Sequence, residues 1–247
     1  MKILGIIPAR MASTRFPAKA LATIGDKSMI QRVFEQASAA KSLDKLIVAT
    51  DHQDIYDHVQ EFGGKVVMTS EQHPSGTDRC REAMENEKEV YDYVINIQGD
   101  EPFIEPDTID ELASLLNGEA QLATLVNQVR EASLLFNPTI MKVVFNKRNE
   151  ALYFSRECIP YLRNQDKQEW IRHHTFYKHV CIYAYRADIL QEVTRLPVSD
   201  LEKAESLEQL RWLENGYPIK IGMTKHESIS IDTPEDLERA KRIMKIS

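Results

Sequence analysis

Apolar and polar positions along the first half of the chain set out strands and helices in turn. Residues 3–7 are uniformly apolar and predict a buried strand. Met29, Ile30, Val33, Phe34 and Ala37 then recur at helical spacing, and Leu46-Ile47-Val48-Ala49 predicts a second strand that ends at Thr50-Asp51. Ile55, Val59 and Phe62 line another helix, which Gly63-Gly64 closes as a C-terminal cap ahead of a strand at 65–68. This β-α-β-α-β order predicts a parallel sheet with right-handed crossovers, whose ligands gather outside the carboxyl ends of its strands.

A fourth strand is expected at 93–97, followed by a helix around Ile109, Leu112 and Leu116. The pattern then changes. Residues 122–126, 141–145, 151–154 and 179–185 read as strands with few helices between them, which predicts a mixed sheet or an added hairpin layer. The polar stretch between Cys158 and Lys178 reads as an exposed arm. Its aromatic residues suit either a surface for a second copy or an insertion packed on its own domain. A helix over 187–196 stops at Pro197, and a second runs through Leu201, Leu207, Leu210 and Leu213 to Gly216. A last strand pair, 219–223 and 229–231, leads to Thr233 as a helix cap with Pro234 at the first helical position. The expectation is one domain over 1–247 with an elaboration around 130–190.

Composition narrows the function. The net charge is −7 with acidic residues dispersed, which argues against a nucleic-acid binder and makes any positive site local. Three separated cysteines without a C-x-x-C pair support neither a disulfide framework nor a zinc ribbon. The N-terminal apolar run breaks at Pro8 and Arg10, and no run has transmembrane length, so a cytoplasmic protein without membrane partners is expected.

The loop after the first strand carries Arg10, Arg15 and Lys19 among prolines and small residues, a set suited to a chain of phosphates and equally to a solvated basic loop. Ser75-Gly76-Thr77 at a helix start can present backbone N–H groups to a ligand, although Thr77 also suits a plain N-cap. Asp100, past a strand and beside Gly99, is a candidate for Mg²⁺, and Asp232 is a second strand-end carboxylate. Neither G-x-G-x-x-G nor G-x-x-x-x-G-K-[ST] is present. A triphosphate held by side-chain cations and Mg²⁺ therefore points to nucleotidyl transfer.

These residues also carry a resemblance. Ile7-Pro8-Ala9-Arg10 with Ser13, Arg15, Pro17 and Lys19, then Ser75-Gly76-Thr77-Asp78-Arg79, Gln98-Gly99-Asp100-Glu101-Pro102, Ala151-Leu152-Tyr153-Phe154-Ser155-Arg156, Leu207-Glu208-Gln209-Leu210-Arg211 and Asp232-Thr233-Pro234-Glu235-Asp236-Leu237 resemble the 3-deoxy-manno-octulosonate (Kdo) cytidylyltransferases, or CMP-Kdo synthetases. The resemblance implies an α/β fold with a Rossmann-like, mixed but mostly parallel nucleotide-binding sheet and a small dimerisation subdomain. It also implies a Mg²⁺-dependent homodimer that turns CTP and Kdo into CMP-Kdo and pyrophosphate for lipopolysaccharide biosynthesis.

By the same resemblance Pro8, Ala9, Arg10, Lys19, Ser75, Gly76, Thr77, Arg79 and Gln98 bind the nucleotide, with Arg10, Lys19, Asp100 and Asp232 catalytic and the two aspartates holding the metal. Arg15, Gln98, Arg156, His179, Tyr185, Glu208 and Gln209 meet the sugar. The same chemistry on 8-amino-Kdo or sialic acid remains open, as does a non-catalytic CTP-binding relative, which the pair of strand-end aspartates opposes. A nicotinamide-dependent dehydrogenase is opposed by the missing glycine fingerprint. The chain departs from the family pattern at Ala18, Cys181 and Ala184, where glycine is usual.

Overall fold

The computed structural model describes residues 1–12, 15–227 and 229–244; Ser13, one of the motif residues, lies outside the described residues. In chain order the elements are β1 (Ile3–Ala9), β2 (Thr23–Ile24), β3 (Lys27–Ser28), α1 (Met29–Ser38), β4 (Lys45–Thr50), α2 (Gln53–Glu61), β5 (Val66–Met68), α3 (Gly76–Glu85), β6 (Tyr93–Asn96) and α4 (Pro106–Ala113). There follow β7 (Leu122–Gln128), α5 (Ala132–Leu135), β8 (Lys142–Phe145), β9 (Ala151–Ser155), α6 (Trp170–His173), β10 (Tyr177–Arg186), α7 (Ala187–Val193), α8 (Asp200–Glu205), α9 (Glu208–Glu214), β11 (Ile219–Met223) and α10 (Pro234–Met244).

Among the described residues, the main sheet has nine strands with the order β11-β7-β10-β6-β1-β4-β5, and the β8/β9 hairpin joins it at β10. Every neighbouring pair in that order is parallel except those made by β10, which is antiparallel to both β6 and β7. The expected mixed, mostly parallel sheet is therefore present, and within that order of seven the one reversed strand is β10; β9, on the hairpin, runs the same way as β10. Both faces are covered. Ile30 and Val33 of α1, Ile55 and Val59 of α2, and Ile109 and Leu112 of α4 pack on one face. Cys80 and Ala83 of α3, Ile189 and Leu190 of α7, and Leu210 and Trp212 of α9 pack on the other. Burial on two faces explains why β1 reads as an unbroken apolar run instead of alternating.

Local chemistry sets most helix ends. Ser28 and Ser75 cap α1 and α3 by accepting from the backbone N–H three residues on. Ser75 is thus the cap, and Thr77 lies inside α3. Gly63 follows α2 with φ +80, a conformation that costs glycine little.

Two expectations are corrected, and the open reading of the polar arm is narrowed. The second C-terminal helix is two helices, α8 and α9, because Ser206 adopts a left-handed φ of 53 between them. Residues 229–231 form no strand; the Ile231 N–H donates to the Asp100 carbonyl at 2.9 Å, outside any ladder. The polar arm is packed on its own domain where it carries Trp170 and Phe176, each 1% exposed against Val129 and Leu135, while Tyr161 remains 71% exposed.

Ala18 stands at the start of a short 3₁₀ turn with φ 54 and ψ 30, left-handed backbone in which a Cβ is crowded. The chain keeps the backbone path that glycine favours and bears the strain. Ala18→Gly is therefore expected to raise stability by about 1 kcal/mol, read as a higher urea midpoint with an unchanged slope. An unchanged or lower midpoint would refute it.

Candidate active site

The site lies at the carboxyl ends of β1 and β6, where the sheet topology predicts a ligand. A cavity of about 290 Å³ is walled by Pro8, Ala9 and Arg10 from the end of β1, by Arg15 and Lys19 from the loop, and by Ser75, Gly76 and Arg79 from the start of α3. Gln98, Gly99 and Asp100 from the end of β6, and Asp232, complete its polar wall. Gly99 is needed for this closeness, since a Cβ there would stand 2.8 Å from the Pro8 carbonyl oxygen.

Two distant carboxylates converge on one lysine. Lys19 Nζ donates to Asp100 Oδ2 at 2.7 Å and to Asp232 Oδ1 at 3.2 Å, and Arg15 Nη2 donates to the same Asp232 oxygen at 3.0 Å. The bond from Ile231 to the Asp100 carbonyl brings the two aspartates together. Ile231, Leu237 and Ala240 anchor this segment in a small core with Ile24, Met29 and Phe103. Asp236 then fixes the backbone at Asp232 and Thr233 by accepting both N–H groups at 3.3 and 3.1 Å. Arg10 is exposed at the rim.

Arg79 lines the cavity, but its charge is spent on the scaffold. It is 3% exposed, and it donates to Asp51 Oδ2 and Thr69 Oγ1, each at 2.6 Å. Asp51 in turn accepts the Met11 N–H at 3.2 Å, so this buried pair ties the basic loop to two other strand ends. Removing either partner would leave a buried charge uncompensated.

The remaining expected site residues lie behind this cavity or away from it. Thr77 is buried, and its hydroxyl donates to Glu208 Oε2 at 2.6 Å; the Tyr185 hydroxyl is 3.4 Å from Thr77 Oγ1. Burial pushes the Glu208 carboxyl above its ordinary pKa, opposed by the Thr77 hydroxyl and the Arg211 charge. His179 and Gln209 are buried next along the same side of the sheet, with the Gln209 amide 3.9 Å from Met141 Sδ. Arg156 is not brought to the cavity: its guanidinium donates to the carbonyls of Glu205, Pro138 and Ser206, closing the C-terminal end of α8. Tyr185 is fully buried, with its hydroxyl turned to Thr77.

Three further residues at the site carry little signal in the sequence. Tyr183 is 9% exposed, its ring lies 5.0 Å from that of His179, and its hydroxyl has no hydrogen-bond partner among the described residues. Only strand alternation could have flagged it, since Tyr183 and His179 lie on one face of β10. His73 lines the cavity with Nε2 against Glu82 Oε2. Asp51 had shown only as the residue after a strand.

The oxygen donors suit a hard cation. Asp100 and Asp232 offer two carboxylates at one point, fitting Mg²⁺ when phosphates and water complete its shell. Among the described residues no group of three or more His, Cys, Asp or Glu side chains forms a self-sufficient metal site. The three cysteines are free, as their spacing predicts, and no described helix is long and apolar enough to cross a membrane.

The sequence profile of the family described as Cytidylyltransferase matches residues 4–243. A protein of Parabacteroides distasonis named 3-deoxy-manno-octulosonate cytidylyltransferase is 58% identical over 245 residues, covering 97% of each chain. The protein of that name from Cytophaga hutchinsonii is 52% identical over 97% of this chain and 96% of its own. A solved structure of CMP:2-keto-3-deoxy-manno-octonic acid synthetase in complex with CTP superposes with a TM-score of 0.92 at 41% identity, covering 99% of both chains. Sequence identity at this level over almost the whole length, with the same fold, makes this chain a member of the 3-deoxy-manno-octulosonate cytidylyltransferase family.

Proposed function

We propose that the protein transfers CMP from CTP to the anomeric hydroxyl of 3-deoxy-manno-octulosonate, releasing pyrophosphate, and that it supplies lipopolysaccharide biosynthesis. The observation that carries this reading is the meeting of Arg10, Arg15 and Lys19 with Asp100 and Asp232 around one cavity. The family resemblance supports the same substrates.

In this reaction the sugar hydroxyl attacks the α-phosphorus in line, the new P–O bond forms as the bond to the β-phosphate oxygen breaks, and the hydroxyl proton is released. No covalent enzyme intermediate is needed, so positioning and charge neutralisation carry the catalysis. Arg10 and Lys19 hold the triphosphate, and Lys19 stabilises charge on the departing pyrophosphate. Arg15 turns from Asp232 toward the carboxylate of the sugar acid. The start of α3 at Ser75 and Gly76 faces the ribose and base, and Arg79 keeps that edge rigid through Asp51. Gln98 stands between the nucleotide and the sugar. His179, Tyr183, Glu208 and Gln209 form the sugar side, with Thr77 holding Glu208 from behind and Tyr185 set against Thr77. Arg156 supports that side by closing α8.

Asp100 and Asp232 would hold Mg²⁺, which when bound neutralises phosphate charge and lowers the pKa of the attacking hydroxyl. A homodimer belongs to this reading. It is supported by exposed Leu152 (60%) and Tyr161 (71%), and by a cavity of about 590 Å³ between β8 and residues 159–177. Light scattering tests it: twice the chain mass is expected, and a monomer at working concentration refutes it.

A pyrophosphate-release assay across CTP and UTP with Kdo, 8-amino-Kdo and sialic acid tests the function. Release with CTP and Kdo in the presence of Mg²⁺, and none when either substrate is left out, is expected. Release with 8-amino-Kdo alone would move the acceptor within the same reading. Silence with all three acids would overturn it.

A further inference from the structure

Strand β10 does not run evenly along β7. Its pairing steps from Val180 opposite Leu125 to Tyr183 opposite Thr124, so Cys181 and Ile182 are extra residues on the bulged strand. Thr124, which is fully buried, closes this irregularity. Its Oγ1 lies 2.6 Å from the Ile182 carbonyl oxygen, 3.3 Å from that of Val180 and 2.9 Å from His179 Nε2.

A hydroxyl has one proton to give, and a carbonyl oxygen has none. The 2.6 Å contact to Ile182 is therefore made by the Thr124 proton, and the remaining contact at Nε2 must be donated by the histidine. A neutral imidazole with its proton on Nε2 leaves Nδ1 as an acceptor. Burial holds the ring neutral, pushing its pKa down to about 3. Nδ1 is 3.8 Å from the Cys181 sulfur, whose thiol is only a weak donor.

We propose that Thr124 is a positioning residue that fixes His179 as a hydrogen-bond acceptor, so that this histidine reads a hydroxyl of the sugar acid and repels its carboxylate. An ionised carboxylate has no proton to offer Nδ1, so the acid is oriented with that group toward Arg15 and a hydroxyl toward His179. This inference rests on the reading of His179 as a sugar-facing residue.

The test begins with the wild-type protein labelled with ¹⁵N-histidine. A long-range ¹H–¹⁵N spectrum, with His179 assigned by the loss of its signals in His179→Gln, is expected to show a proton-bearing Nε2 and a pyridine-like Nδ1. Thr124→Val is expected to mix the two tautomers and to raise KM for 3-deoxy-manno-octulosonate about tenfold, the size of one net hydrogen bond. KM for CTP and kcat should stay within about twofold, since a misplaced acceptor weakens only the sugar complex. Thr124→Ser, which keeps the hydroxyl, should restore the wild-type values. A proton on Nδ1 in the wild type overturns the proposal, and so does an unchanged KM for the sugar acid in a folded Thr124→Val. The wild-type spectrum needs no variant, so the proposal is still decided if Thr124→Val fails to fold. If wild-type protein releases no pyrophosphate with any of the sugar acids, the functional reading has failed, whatever the tautomer.

Discussion

Asp100→Asn is expected to lower kcat/KM by at least ~100-fold, which corresponds to about 2.7 kcal/mol of transition-state stabilisation. The change keeps the size and one carbonyl oxygen of the side chain, so the hydrogen bond from Lys19 can persist. It removes one of the two negative charges that converge at this point. On the proposed role of these carboxylates, a Mg²⁺ ion there would lose half of the anionic charge the protein supplies, and its neutralisation of the phosphates would weaken with it. Two readouts separate this from general damage. The Mg²⁺ concentration for half-maximal rate should rise, whereas the thermal midpoint should move little, because Asp100 is about a quarter exposed. Near-normal turnover at saturating Mg²⁺ would show that the metal lies elsewhere.

Lys19→Met should be costlier still, roughly 100- to 1,000-fold in kcat, the range seen when a preorganised donor to developing charge is removed. Lys19 Nζ balances both aspartates. It sits on a loop held by the Ala18 N–H donating to Met11 O and the Leu21 N–H donating to Ala18 O. Methionine keeps most of the length and an apolar stem, and the charge and the N–H donors are lost. Lys19→Arg should recover part of the rate, because a planar fork does not replace a point charge at one oxygen. A Lys19→Met enzyme within tenfold of wild type in single-turnover rate would remove Lys19 from the catalytic set.

Legibility in the sequence followed the range of the interaction. The alternation of strands and helices through residue 113 was readable because each element advertises its burial within a few residues: β1 as an unbroken apolar run, α1 and α2 as apolar stripes. The C-terminal half misled for a local reason and a distant one. Leu201, Leu207, Leu210 and Leu213 do not reveal that Ser206 turns left-handed, so one helix was expected where there are two. Residues 229–231 have the apolar pattern of a strand, yet they spend their backbone on Asp100 and their side chains on a small core under α10.

By itself the sequence determined which residue types stand at the strand ends: a basic loop after β1, Ser75 and Gly76 at the start of α3, and an aspartate after β6. Those follow from periodicity and turn chemistry, which act over a few residues. Only the tertiary structure decided which charges remain for a ligand. Arg79 and Arg156 look as available as Arg15 and Lys19 when read in one dimension, yet the first pair is consumed by Asp51 and by three carbonyl groups. Asp232 likewise became the partner of Asp100 only when Ile231 and α10 docked beside the end of β6. The physical reason is that charge and hydrogen-bonding capacity are shared among neighbours in space, and residues far apart in the chain become neighbours only when the core closes.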